Sequence, residues 1–272
     1  MAERPHAAAK FMATVSSPAG IYDYLLGGVN HSEADRVAAE KALEIVPETR
    51  IAALDNRAFL QRAVRYVAEH GVRQFIDLGS GYPTVGAVHE IASEYFEDPH
   101  VVYVDYDPAV ARLSRRLLTS PHTRVVVHDL RRPLEIVSDP EVTQLIDWTE
   151  PVAVLMVAIL HFVAVEDNPA LLIATFRELM AAGSYLVVSH VSVGERPERA
   201  EDAAKAWDRA RSPITIRTAE EIGELLAGFE LIPPGLVSTR EWRTTESQPP
   251  AQGLVLAGVG RLPGQQAGTT VV

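Results

Sequence analysis

From Ser17 onward the apolar residues recur at either helical or strand spacing, and the change from one to the other divides the chain into elements. Ile21, Tyr22, Leu25 and Leu26 fit a short amphipathic helix that starts near Pro18 and is stopped by Gly27-Gly28. Ser32, with Asp35 three residues on, has the form of a capping box and opens a second helix, Glu33 to about Val46. A third helix is expected from about Glu48 to His70, closed by Gly71. Arg50, Arg57, Gln61 and Arg65 share one face of it, and Ile51, Phe59, Ala63 and Tyr66 share the other. Residues 1–16 have no apolar period and read as a loose arm.

After Gly71 strands and helices alternate. The run Phe75-Ile76-Asp77-Leu78 predicts a strand, Gly79-Ser80-Gly81 a turn, and Thr84 the start of a helix reaching Phe96. A strand over 101–105 leads into a helix opened by Asp107-Pro108, with Val110, Leu113 and Leu117 inward. Next come a strand over 124–129 and a less regular stretch holding Pro133 and Pro140. The unbroken apolar run 151–160 reads as a central parallel strand, buried on both faces. A helix from about Pro169 to Met180 precedes a strand over 184–190. Helices over about 197–210 and from Thr218 to about Ala227 follow, then strands over 229–232 and 253–262, expected to pair antiparallel at the sheet edge. Repeated strand–helix units predict an α/β, doubly wound, mostly parallel sheet. The expected division is an arm at 1–16, a helical cap or lid at 17–72, a core at 73–262 and a tail at 263–272.

Composition narrows the chemistry. The 272 residues contain no cysteine, which removes disulfides, thiolate metal sites and cysteine nucleophiles. No apolar run approaches a membrane span or a signal-peptide core, so a soluble cytoplasmic protein is expected. The net charge of −11 disfavours a long nucleic acid as partner. No carboxylate cluster has metal-ligand spacing, so no metal is expected.

In a doubly wound sheet, ligands bind beyond the carboxyl ends of the strands. Here Asp77 and Gly79–Gly81 stand at the first strand end and Asp105 at the second, where a carboxylate can accept hydrogen bonds from two ribose hydroxyls. Asp129-Leu130 stand at the third, where a carboxylate can take one from an adenine amino group, and His161-Phe162 follow the fourth. Taken singly, Asp105 or Asp107 could be only a helix cap and Asp129 the start of a loop, but together, at successive strand ends, they favour a ligand. Thr84 occupies the third-glycine position of a dinucleotide fingerprint, and no phosphate-gripping G-x-x-x-x-G-K-[ST] loop is present. Asp77, two places before the first glycine, would repel phosphate but suits an ammonium group. The ligand indicated is an adenosine with a cationic amino-acid arm.

With D-L-G-S-G, V-D-Y-D-P and H-D-L at successive strand ends, the core resembles a class I methyltransferase. More narrowly, AGIYDYLLGGVNH (19–31), NRAFLQRAVRY (56–66), QFIDLGSGYPT (74–84), VVYVDYDP (101–108), LHF (160–162) and GSYLVVSH (183–190) resemble the S-adenosyl methyltransferase family, long catalogued as a domain of unknown function. The likeness covers about residues 17–262. Pro83 stands where the broad superfamily prefers a third glycine, and the narrower family shares it. The resemblance implies a Rossmann-like, seven-stranded sheet with an antiparallel last strand. It also implies S-adenosylmethionine as cofactor and S-adenosylhomocysteine as product.

Carried onto this chain, the resemblance puts Asp77, Gly79, Ser80 and Gly81 against the methionine arm and Asp105 on the ribose. Tyr106 lies beside the adenine and Asp129-Leu130 at its edge, with Thr84, Asp107 and Ala158, from the same motifs, completing the set. Tyr22, Gly27, Gly28, Asn30 and His31 are implied to fold over the cofactor, with Arg57 nearby. Methyl transfer from a sulfonium is an in-line displacement in which the protein positions two reactants and excludes water. His161 is the first candidate to take a proton from the acceptor, and His190 the weaker one. No Asn/Asp-Pro-Pro-aromatic motif follows the fourth strand, which disfavours nucleobase amines and leaves a small-molecule O or N acceptor. A sensor that binds S-adenosylmethionine without turnover would need the same pocket. A nicotinamide dehydrogenase is opposed by Thr84 and by Asp129-Leu130.

Overall fold

The computed structural model describes residues 15–83, 86–192, 213–245 and 254–264. Thr84 and the helix expected over 197–210 lie outside the described residues, as do most of the arm and of the tail. Three helices come first. α1 (Pro18–Leu25) is capped by the Ser17 hydroxyl, which accepts the Gly20 N–H. α2 (Glu33–Ile45) opens on the expected capping box between Ser32 and Asp35. α3 (Thr49–Glu69) gives way to Gly71, whose φ of +87° is open to glycine and strained for other residues. The buried stripe of α3 runs through Ala53, Asn56, Phe59, Leu60, Ala63, Val64, Val67 and Ala68, with Asn56 its one polar member. Ile51, expected on that face, is exposed, because two residues before Ala53 lies nearly across the helix.

Strands β1 (Gln74–Leu78), β2 (His100–Asp105), β3 (Thr123–Val127), β4 (Val152–Val157) and β5 (Tyr185–Val191) run parallel in the order 3-2-1-4-5. Two short segments follow, β6 (Glu230–Leu231) and β7 (Val237–Ser238), and then β8 (Val255–Arg261). β8 lies antiparallel to β5 from Tyr185↔Arg261 to Val191↔Val255, so it sits inside the sheet and not at its edge. β6 and β7 both pair with its far side. Pro233 and Pro234 between them lack the N–H a ladder needs, so one edge strand becomes two pieces. Eight strands therefore fill the seven expected positions.

The connecting helices are α4 (Val88–Ala92), α5 (Pro108–Leu117), α6 (Pro133–Val137), α7 (Pro140–Thr143), α8 (Pro169–Leu179) and α9 (Ala219–Leu225). One face of the sheet packs on α3 and α4 through Phe59, Val64, Val67, Val88 and Ile91; the other packs on α6 and α8 through Ile136, Leu172 and Phe176. Ile21 and Leu25 of α1 meet Ala39 of α2 and Ala53 of α3 in a separate small cluster. The lower half of α3 thus belongs to the sheet's core, while its upper turns carry α1 and α2.

Three elements are shorter or turned relative to expectation. α4 begins at Val88 and not at Thr84, because the Glu90 carboxylate accepts the N–H groups of Gly86 (2.7 Å) and Ala87 (3.1 Å) and fixes the start there. β4 stops at Val157, since Ala158 has φ +55°, a left-handed conformation that ends the extended run. The buried line of α5 is Val110, Ala111 and Ser114, one residue round from the expected Leu113 and Leu117, and Leu117 is exposed.

Candidate functional site

The strand order reverses between β1 and β4, which opens a crevice beyond their carboxyl ends. A cavity of about 240 Å³ fills it, floored by the ends of β1 to β5 and walled by α1 and α3. Of the residues singled out in the sequence, Tyr22, Arg57, Asp77, Gly79, Ser80, Gly81, Asp105, Tyr106, Asp107, Asp129, Leu130, Ala158 and His161 all line it. Gly27, Gly28, Asn30 and His31 do not.

The glycine turn is held by its neighbours. Gly79 and Ser80 donate their N–H groups to the Val104 carbonyl (2.8 and 3.1 Å), and Gly81 donates to Asp105 Oδ2 (2.9 Å). Asp105 Oδ1 accepts the Asp107 N–H (2.9 Å), and the Tyr106 N–H adds a further backbone hydrogen bond, so the buried carboxylate ties the β1 turn to the β2 turn. Gly79 has φ +71°, and a Cβ there would sit 2.3 Å from the Ile159 side chain. These N–H groups are spent on the protein. The helix that follows starts too late, and is capped too well by Glu90, to aim free donors at a ligand.

Asp77 is buried beneath this turn, and desolvation pushes its pKa up to about 7 against the pull of Arg57; the Asp105 charge adds to the rise. A buried carboxylate raised so far gains from a cation placed beside it, which fits an ammonium group. Burial likewise raises Asp105. Tyr106 is half-exposed at the cavity rim, leaving its ring free to cover a flat ligand. Asp107 caps α5 by accepting the Ala109 N–H (2.8 Å). Asp129 is clasped by the Arg131 side chain, whose hydrogen bonds hold its carboxyl below the usual range.

The residues of the Gly27–His31 loop gather around Asp23, which does line the cavity. Its buried Oδ2 accepts the N–H of Asn30 (2.8 Å) and of His31 (3.0 Å), and His31 Nδ1 lies 3.1 Å away. Gly28 has to be glycine because a Cβ would meet the Asp23 carboxylate at 2.2 Å. Asp35 ties backbone together in the same way: it accepts the Ser17 N–H (2.6 Å) at the start of α1 and the Ser32 N–H (2.7 Å) at the start of α2.

Behind the cavity a chain of hydrogen bonds ties the walls together. Ala158 N–H donates to Ser189 Oγ (2.9 Å), Ser189 Oγ to Asn56 Oδ1 (2.6 Å), Asn56 Nδ2 to the Tyr22 hydroxyl (2.8 Å), and that hydroxyl to the Ala53 carbonyl (3.2 Å). Burial raises the Tyr22 pKa, so it stays a neutral donor. The sequence did offer a signal for Asn56: it is the lone polar residue in an apolar stripe.

His161 is 4 % exposed, and its Nδ1 is buried with no hydrogen-bond partner. Desolvation holds its pKa well below the ordinary value, and the nearby His190 and Arg217 press it further down. Its ring lies edge-on to that of His190, centroids 5.7 Å apart. His190 Nδ1 bonds the Val191 carbonyl (2.7 Å), which makes Nδ1 the protonated nitrogen and leaves Nε2 to accept from Arg217 Nη1 (2.7 Å). The buried Arg217 also donates to the carbonyls of Leu160 (3.0 Å) and Val163 (2.9 Å), gripping the turn that carries His161. Nothing in the sequence pattern marked Arg217.

Among the described residues, no three His, Asp or Glu side chains could hold a metal ion together, and no helix is long and apolar enough to cross a membrane. A comparison with curated proteins finds no match. Among solved structures, a candidate methyltransferase from Thermobifida fusca YX is 37% identical over 93% of this chain and 97% of its own, with a TM-score of 0.87. A DUF574 family protein from Streptomyces avermitilis MA-4680 is 34% identical over 92% and 98%, with a TM-score of 0.85. An O-methyltransferase family protein from Burkholderia thailandensis, at 14% identity over 82% and 63% and a TM-score of 0.50, shares the fold. A model of the S-adenosyl methyltransferase family matches residues 5–263. That match takes in the whole sheet and every wall of the cavity: the chain belongs to the S-adenosyl methyltransferase family and is an S-adenosylmethionine-dependent methyltransferase.

Proposed function

We propose that the cavity end formed by β1, β2 and β3 holds S-adenosylmethionine, and that the end formed by β4 and β5 holds a small-molecule acceptor methylated on oxygen or nitrogen. The support is that one cavity joins Asp105 at the first end to His161 at the second. Asp77 receives the amino group, and Gly79, Ser80 and Gly81 line the path of the methionine arm. The Asp105 carboxylate accepts from the ribose hydroxyls. Tyr106 covers the adenine, with Asp107, Asp129 and Leu130 at its edge, and Ala158 borders the reacting end. Tyr22 and Arg57 close the cavity from α1 and α3. Gly27, Gly28, Asn30 and His31 act at one remove, by fixing Asp23, so that α1, α2 and their loop form a cap.

The bound cofactor supplies an electrophilic methyl group on a sulfonium. The protein's role is to align the acceptor behind it and keep water out. His161, held neutral, accepts a hydrogen bond from the acceptor's O–H or N–H and turns a lone pair toward the methyl. Its depressed basicity favours orienting over full proton removal. An acceptor screen read by S-adenosylhomocysteine formation tests this: turnover that is lost in His161→Ala while cofactor binding persists is the expected result. Tight cofactor binding with no turnover on any acceptor would leave only a binding protein.

A further inference from the structure

Following the sheet order, the cavity crosses the ends of β3, β2, β1, β4 and β5 and reaches Val255 at the start of β8. If the first three ends hold the cofactor, as proposed above, the stretch over β4, β5 and β8 is left for the acceptor, and its chemistry restricts what enters. The walls there are apolar: Val157, Phe162, Val163, Val191, Val255 and, from α3, Leu60. The hydroxyls and amide in these walls are engaged with one another. Tyr22, Asn56 and Ser189 form the internal chain, and Thr49 Oγ1 donates to the Val46 carbonyl (2.7 Å). The Asp23 carboxylate is engaged by Asn30 and His31, and the Arg57 charge faces Asp77. Arg217 lies behind the wall, its donors on Leu160, Val163 and His190. His161 is left: its ring lines the cavity, and its Nδ1 has no hydrogen-bond partner.

We propose that the methyl acceptor is an uncharged, largely apolar and compact molecule bearing one hydroxyl or N–H group, which docks on the His161 imidazole. A charged acceptor would lose its hydration and find, among the described residues, no unengaged counter-charge at this end, a cost of several kcal/mol. A neutral imidazole offers one donor and one acceptor, enough to fix a single polar group and no more.

The test is calorimetric titration of the protein saturated with S-adenosylhomocysteine, using 2-naphthol, 2-naphthoic acid and 2-naphthylmethylamine as shape-matched neutral, anionic and cationic probes. The neutral probe is expected to bind roughly tenfold or more tighter than either charged one. Binding of 2-naphthol should weaken several-fold in His161→Ala and in His161→Phe, each checked for retained S-adenosylhomocysteine binding, while the charged probes stay weak. A charged probe binding as well as 2-naphthol, no binding of 2-naphthol, or unchanged 2-naphthol affinity in the variants would overturn the proposal while leaving the cofactor site standing. Failure of S-adenosylhomocysteine itself to bind would overturn the cofactor reading, and this proposal with it.

Discussion

Ser189 Oγ on β5 donates a 2.6 Å hydrogen bond to Asn56 Oδ1 on α3, across 133 residues of sequence. The bond is buried and sits midway in the chain of donors from Ala158 to Tyr22, so it holds the cavity floor to its wall. Asn56→Ala strands the Ser189 hydroxyl and should cost about 1–3 kcal/mol in urea unfolding. Because the two groups act as one unit, the double variant with Ser189→Ala should cost less than the sum of the single losses. Losses that add in full would show the pair to be uncoupled.

Two of the glycines singled out in the sequence separate backbone strain from crowding. Gly27 and Gly79 both have positive φ, +77° and +71°, but a Cβ on Gly27 meets nothing within 4 Å whereas one on Gly79 collides with Ile159. Gly27→Ala should lose only the conformational term, about 1 kcal/mol. Gly79→Ala should lose clearly more, and Ile159→Ala in the same chain should restore some of the loss. Equal thermal shifts for the two single variants would contradict the collision.

The pH dependence carries opposed contributions. Asp77 titrates near 7 in the folded protein against 3.8 when free, so between those values the fold holds a proton that the unfolded chain releases. Its contribution to stability therefore falls as pH rises through that window. His190 is pushed down to about 4 from 6.5, so its contribution is lost as pH falls from 6.5 toward 4. Asp77→Asn should remove the first slope and leave stability rising with pH across that lower range. If the cofactor's amino group sits on Asp77, binding expels the proton, and affinity should improve as pH rises through about 7 in the wild type but not in Asp77→Asn. A wild-type affinity flat from pH 6 to 8 would place the ammonium elsewhere.

Arg217→Met leaves the Val163 carbonyl and His190 Nε2 without their Arg217 donor and takes one of two from the Leu160 carbonyl, which keeps the Val163 N–H (3.1 Å), a loss of about 3 kcal/mol. Arg217 also presses down the pKa of both His161 and His190. Both imidazoles should therefore titrate higher in the variant by NMR. A destabilised variant with both unmoved would confine Arg217 to holding the turn.

The order of elements was legible because each carries its own period and punctuation: Ser32 with Asp35, Asp107-Pro108 and Thr218 mark helix starts that the structure keeps. The strand-end carboxylates were legible for the same reason, since a parallel strand followed by a glycine or a cap shows where it stops. What escaped is tertiary. Whether residues 151–160 stay extended is decided by the left-handed Ala158 and by Ser189 beside it, not by hydrophobicity. β8 slots between β5 and β6 through pairing that no local pattern records. Arg217 reads as one more polar residue before a helix cap, and its burial comes from carbonyls more than 50 residues away. The Gly27–His31 loop was expected to fold over the cofactor, and no local pattern records that its polar groups converge on Asp23.

The most direct test is calorimetric titration with S-adenosylmethionine, S-adenosylhomocysteine and NAD, on the wild type and on Asp105→Ala with its folding verified. The two adenosyl compounds should bind and NAD should not, and the substitution should weaken binding by about tenfold or more, near 1.4 kcal/mol. Unchanged affinity in a folded Asp105→Ala, or tighter binding of NAD, would contradict the placement of the cofactor at these strand ends.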